Sequence, residues 1–174
     1  LTFSVLASIG LPDIEAYTVN RLISKQSPDI ALGVEQQGAG DQGMMFGYAT
    51  NETHEMLPVP FVLATAALER LKDSRNPFLR PDAKSQVTYD YKRKRIDTFL
   101  ISTQHSKHAS LEDVRGAVQA VMQETAKTYD LNTDFKALVN PTGRFVIGSS
   151  FADTGVTGRK IIADTYGGAC RHGG

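Results

Sequence analysis

Cysteine is all but absent from this sequence. Cys170 is the one thiol, so no disulfide can close within the chain, and a reducing compartment is the expected setting. Net charge is missing as well: nineteen Lys and Arg residues balance nineteen Asp and Glu, which removes the electrostatic footprint of a nucleic-acid binder or of a protein that rides on an anionic membrane. No apolar run approaches the about 18 residues needed to span a bilayer. Residues 1–10 lack the basic start and long apolar centre of a secretory signal, and the first residue is not methionine. Tandem repeats and low-complexity tracts are lacking too. His105 and His108 lie in a polar stretch with no cysteine nearby, so surface positions are expected for them, not a zinc site. Cys170 has no obvious base partner for nucleophilic work. These absences leave a soluble, cytoplasmic protein, with no nucleic acid and no membrane as partner, that must recognise any anion through local charge.

What is present suffices for one compact core: 174 residues at 41% hydrophobic composition. Residues 44–49 form a short apolar run that reads as a buried strand. Pro58 and Pro60 then suit the start of a helix, where a missing N–H costs little, and Phe61, Ala64, Leu68 and Leu71 recur at helical spacing as its buried face. Val87, Tyr89 and Tyr91 alternate with polar residues, and residues 96–102 resume strand chemistry beyond the charged turn Lys92-Arg93-Lys94-Arg95, which reads as a solvated hairpin turn. Ser110 followed by Asp113 looks like a capping box, with Leu111, Val114, Val118, Val121 and Thr125 as the stripe of a second amphipathic helix. Residues 135–139 give a last strand, closed by Asn140, Pro141 and Gly143. The order is strand, helix, strand, strand, helix, strand. That is the split βαβ arrangement, an α+β fold with two helices on one face of a four-stranded sheet.

Four clusters of glycine and charge could carry chemistry. Gly38-Ala39-Gly40-Asp41-Gln42-Gly43 is either an ordinary tight turn or a place where backbone and carboxylate approach a ligand. Leu79-Arg80-Pro81-Asp82-Ala83-Lys84 is either a loop with local ion pairing or a phosphate contact through Lys84. Asn140-Pro141-Thr142-Gly143-Arg144-Phe145 ends on a ring that either joins the core or stacks on a nucleobase. The strongest anion signal is Asp153-Thr154-Gly155-Val156-Thr157-Gly158-Arg159-Lys160, where paired cations, hydroxyls and free backbone N–H groups suit a polyphosphate.

Together and in this order, these blocks resemble S-adenosylmethionine synthetase over residues 38–53, 79–88, 140–148 and 153–168. Lys25-Gln26-Ser27-Pro28-Asp29-Ile30 resembles the start of that family's mobile active-site loop. The resemblance covers nearly everything from about residue 17 onward and only vaguely residues 1–16. It implies three domain portions: 1–33 as the end of an N-terminal domain with the mobile loop, 34–146 as the central domain, and 147–174 as the start of a C-terminal domain. It also implies synthesis of S-adenosylmethionine from ATP and L-methionine with Mg²⁺ and K⁺, in a homodimer or dimer of dimers whose active sites lie between subunits. Gln26 and Asp41 then match methionine-binding positions, and Asp82, Lys84, Arg144 and Phe145 ATP-binding ones. Asp153 matches a residue that touches both substrates, and Arg159 with Lys160 the triphosphate clamp; Lys84, Arg159 and Lys160 are the implied catalytic cations. The family's His-Pro-Asp-Lys block, its potassium-linked glutamate and its Lys-rich segment have no counterpart, so no metal ligand is expected here and the chain alone is expected to be inactive. The connection from Val34 to Gly38 is also shorter than the family pattern. The alternative is a shortened, non-catalytic relative that binds nucleotide or an intact synthetase subunit.

Overall fold

The computed structural model describes residues 2–11 and 14–173. Residues 1, 12 and 13 of the expected N-terminal portion, and residue 174 of the C-terminal one, lie outside the described residues. The elements in chain order are α1 (Thr2–Ser8), α2 (Pro28–Glu35), α3 (Val59–Asp73), β1 (Leu79–Asp90), β2 (Arg95–His105), α4 (Leu111–Thr128), β3 (Lys136–Val139) and α5 (Ile161–Asp164), with 3-10 turns at Ile14–Ala16 and Ser149–Phe151. No described helix is long and apolar enough to cross a membrane.

The hairpin forms where the alternation placed it. β1 and β2 pair antiparallel from Leu79↔His105 to Asp90↔Arg95, and residues 91–94 close the turn with Lys94 at φ 53° and the Arg93 N–H on Asp90 Oδ1 at 2.9 Å. A register shift between Thr88 and Tyr89 lets both Ile96 and Phe99 reach the core, since the extra residue on β2 resets the two-residue alternation. From β2 the chain crosses over through α4 and returns as β3, parallel to β2. Among the described residues the sheet therefore has three strands, in the order β1-β2-β3.

Both helices lie on one side of that sheet. Leu63, Ala67 and Leu71 of α3 meet Val114, Val118, Met122 and Ala126 of α4 over Ile96, Phe99, Ile101 and Val139. The caps follow the sequence: Ser110 Oγ accepts the Asp113 N–H at 3.0 Å and donates to Asp113 Oδ2 at 2.6 Å. Glu52 serves α3, its Oε2 accepting the Val59 N–H at 3.2 Å. Burial opposes ionisation of Glu52, but that hydrogen bond and those from Thr50 and Tyr91 outweigh it and hold the carboxyl below its ordinary range.

The structure corrects three expectations. Residues 44–49 are not a strand; Met44 and Met45 stand 77% and 90% exposed. A strand needs a partner's N–H and C=O groups; the run makes no ladder with either edge strand, β1 or β3, and lies instead against the last segment, with Tyr48 beside Tyr166 and the Cys170 thiol on the Gly47 carbonyl. On α3 the buried residues are Val62, Leu63, Ala67 and Leu71, with Leu68 packed partly buried against the core, while Phe61 and Ala64 line a cavity; the helix is apolar on two sides, and the sheet takes only one. His105 is buried at 3% exposure, whereas His108 is exposed.

Candidate active site

Three of the expected site cations share one space. A cavity of about 1040 Å³ lies between α3, the β1 strand and the last segment, and Lys84, Arg159 and Lys160 all line it. Pro60, Phe61, Ala64, Leu68, Ile161 and Ile162 add apolar lining to the same space. The sequence builds this locally. Lys84 projects from an edge strand anchored to α3 through the Ser85 hydroxyl on the Ala64 carbonyl at 2.6 Å. Arg159 and Lys160 follow Gly158 at φ +76°, a conformation that favours glycine, and immediately precede α5. Gly167 packs so closely on the Phe61 ring that an added Cβ would stand 2.8 Å from its Cδ2. Tyr91, half-exposed, also lines the cavity; partial burial first, then its hydrogen bond to Glu52 and that carboxylate's charge, push its phenol up to about 12. A space lined by both cations and apolar side chains suits a polyanion carrying a flat or aliphatic body.

The other nucleotide candidates gather next to it, around Gly148. A Cβ built there would lie 2.8 Å from Gln104 Cδ, 2.9 Å from Phe145 Cε2 and 3.0 Å from Asp82 Oδ2, so only the absence of a side chain lets these three groups converge. Asp82 Oδ2 accepts the Ser149 N–H at 2.7 Å. Gln104 donates from Nε2 to the Val146 carbonyl at 3.0 Å and takes the Ser149 hydroxyl on Oε1 at 3.2 Å. Phe145 is half-buried, with its N–H on His105 Nε2 at 3.0 Å and its carbonyl on the His105 N–H at 2.9 Å. Asp82 stands two residues before Lys84 on β1, which links this cluster to the cavity.

The remaining expected residues are not drawn in. Arg144 is exposed beside Phe145. Asp153 is exposed, with Oδ1 turned back to the Thr154 N–H at 2.8 Å. Asp41 does the same with the Gln42 N–H at 2.7 Å, and no hydrogen bond or ion pair among the described residues joins Gln26 or Asp41 to the other site groups. Among the described residues no three His, Cys, Asp or Glu side chains stand together as a group that could hold a metal ion. Sequence reading missed Gln104, His105 and Gly148. The available signal was the polar run Thr103-Gln104-His105, which continues a strand expected to end at residue 102.

This arrangement has known counterparts. Residues 36–145 match the S-adenosylmethionine synthetase central domain, and residues 147–174 match the C-terminal domain of the same enzymes. Among solved structures the chain is similar to an unusual S-adenosylmethionine synthetase from Campylobacter jejuni, at 31% identity and a TM-score of 0.80, over 98% of this chain and 49% of that one. It thus spans about half the length of that relative. The α+β fold, with its hairpin and two helices on one sheet face, is consistent with the split βαβ domain of these proteins. With its central-domain match covering most of the sequence, this chain belongs to the S-adenosylmethionine synthetase family.

Proposed function

We propose that this chain provides the nucleoside wall and the triphosphate clamp of a methionine adenosyltransferase. In that reaction the methionine sulfur attacks C5′ of ATP. The new S–C5′ bond forms as the C5′–O bond breaks, and the electron pair leaves with the whole triphosphate, which water then cleaves to pyrophosphate and phosphate. The observation that carries the reading is the convergence of Lys84, Arg159 and Lys160 on one cavity. A triphosphate gathers negative charge as it departs, so cations gathered on it stabilise the transition state more than the bound substrate. A thioether nucleophile needs no general base, in keeping with a site built from cations and glycines. Holding two substrates in line supplies much of the remaining acceleration.

Within this reading Phe145 and Arg144 line the adenine, Asp82 and Asp153 position the nucleoside, and Gln26, Asp41 and Asp153 meet methionine. The portions 1–33, 34–146 and 147–174 are pieces of three domains, a division that accords with the family matches on either side of residue 146. Mg²⁺ and K⁺ would neutralise the leaving group through ligands beyond this chain. Gln26 and Asp41, apart from the cavity here, would act on a site completed by a second subunit in a cytoplasmic homo-oligomer.

The test is an assay with ATP, methionine, Mg²⁺ and K⁺. The 174-residue chain is expected to form no S-adenosylmethionine. In a complete enzyme carrying these residues, Lys160→Ala is expected to slow C5′ transfer or triphosphate hydrolysis; unchanged rates of both would remove the clamp role. The second reading is a non-catalytic relative that binds nucleotide or an intact synthetase subunit. The intact mass of the native protein separates the two: a mass equal to this chain favours the second.

A further inference from the structure

The parallel ladder between β2 and β3 stops at Ile101↔Val139, yet the chain beyond it stays fastened to β2. The Asn140 N–H reaches the Ile101 carbonyl at 3.1 Å, and φ 43° at Asn140 then turns the backbone out of the sheet. From there β2 holds the departing chain with side chains. The Asn140 amide spans the Thr103 main chain, accepting its N–H at 2.8 Å and donating to its carbonyl at 3.0 Å. The next two residues of β2 are Gln104 and His105, both buried, and both reach past the turn at Gly143 to residues 145–149.

The imidazole of His105 has no freedom of tautomer. The Phe145 N–H can only donate, so Nε2 accepts; the Ser106 carbonyl, 2.9 Å from Nδ1, can only accept, so Nδ1 carries the proton. The Gln104 amide is fixed by the same logic, with its nitrogen toward the Val146 carbonyl and its oxygen toward the Ser149 hydroxyl. Buried donors and acceptors satisfied in this way define one backbone path, because any other path leaves one of them unpaired.

From this geometry we propose that Gln104 and His105 are positioning residues: they set the backbone of residues 145–149, and through it the place of the Phe145 ring and of the Ser149 N–H that Asp82 grips. Neither needs to touch the substrate. The inference rests on the nucleoside reading of Phe145 and adds to it the pair that holds that wall. A wall set by β2 acts on the nucleoside end of ATP and leaves the cations of the cavity alone, which separates positioning from a general loss of structure.

The experiment uses the 174-residue chain, labelled with ¹⁵N, and two probes: ATP and inorganic tripolyphosphate. A long-range ¹H–¹⁵N spectrum of the wild type is expected to show His105 protonated on Nδ1 with Nε2 bare; a proton on Nε2 overturns the clamp. His105→Ala is expected to speed amide exchange at Phe145 and to weaken ATP about tenfold while leaving tripolyphosphate unchanged. His105→Gln, which restores an acceptor near Nε2, recovers part of the ATP affinity; the same pair of titrations on Gln104→Ala reads the second clamp without emptying the imidazole site. Equal weakening of both probes, or ATP affinity untouched in both alanine variants, overturns the proposal alone. A wild-type chain that binds neither probe overturns the nucleotide reading, and this inference with it.

Discussion

The stretches 140–149 and 153–160 are both glycine-bearing and both resemble nucleotide-binding blocks, yet they are held in different ways. The first is tied by partners far away in sequence: Asn140 to Thr103, Phe145 to His105, Val146 and Ser149 to Gln104, and Ser149 to Asp82. The second is tied to itself, through the Thr154 N–H on Asp153, the Arg159 N–H on the Val156 carbonyl and the Asp164 N–H on the Lys160 carbonyl, with every residue exposed. A wall that must present a ring at a fixed place uses buried long-range bonds. The proposed clamp has its cations in solvent, on a turn held only by its own backbone.

The contrast breaks most visibly at Asn140. Replacing it with alanine strips two buried hydrogen bonds from Thr103 and puts at positive φ a residue that tolerates that region less well than asparagine, an expected loss of about 3 kcal/mol, readable as a fall in Tm. Gly148→Ala comes next, because its Cβ meets Gln104, Phe145 and Asp82 at 2.8, 2.9 and 3.0 Å. Gln104 and Asp82 are held there by hydrogen bonds, so making room costs about 2–3 kcal/mol by denaturant titration, together with weaker ATP binding. Glu52→Gln is smaller and pH-dependent. The folded carboxyl titrates below its ordinary 4.5, so its stabilisation of α3 is fully present above that pH and is lost as pH falls through the lowered value. The variant should be less stable than wild type by about 0.5–1 kcal/mol at neutral pH, and the gap should shrink toward zero in acid. Arg159→Ala is expected to change stability least, by under about 0.5 kcal/mol, since it sits in an exposed, locally held turn.

Legibility in the sequence follows the same division. Helix α4 was readable because Ser110, Asp113, Val114, Val118 and Thr125 state cap and period within one short stretch, and the hairpin because its alternation is local. The cations Lys84, Arg159 and Lys160 were readable from residue type and glycine context, and the fold brings them to one cavity. Three features were not readable. Residues 44–49 have strand composition, but a strand also needs a neighbour within reach, and this run lies against residues 166–170, away from the sheet. Both faces of α3 are apolar, and only the tertiary fold decides that Leu63 packs inward while Phe61 faces the cavity. His105 looks like a loop histidine because its partner Phe145 comes 40 residues later, and no local period announces it.

The central claim is that the cations of the cavity form a triphosphate clamp. Titrating inorganic tripolyphosphate into the wild-type chain and into the Arg159→Ala/Lys160→Ala double variant tests it most directly, because the probe carries the anion without the nucleoside. The expected result is binding by the wild type and a loss of about tenfold or more in the double variant, with the thermal unfolding curve unmoved. Equal affinity in the two proteins, both folded, would contradict it.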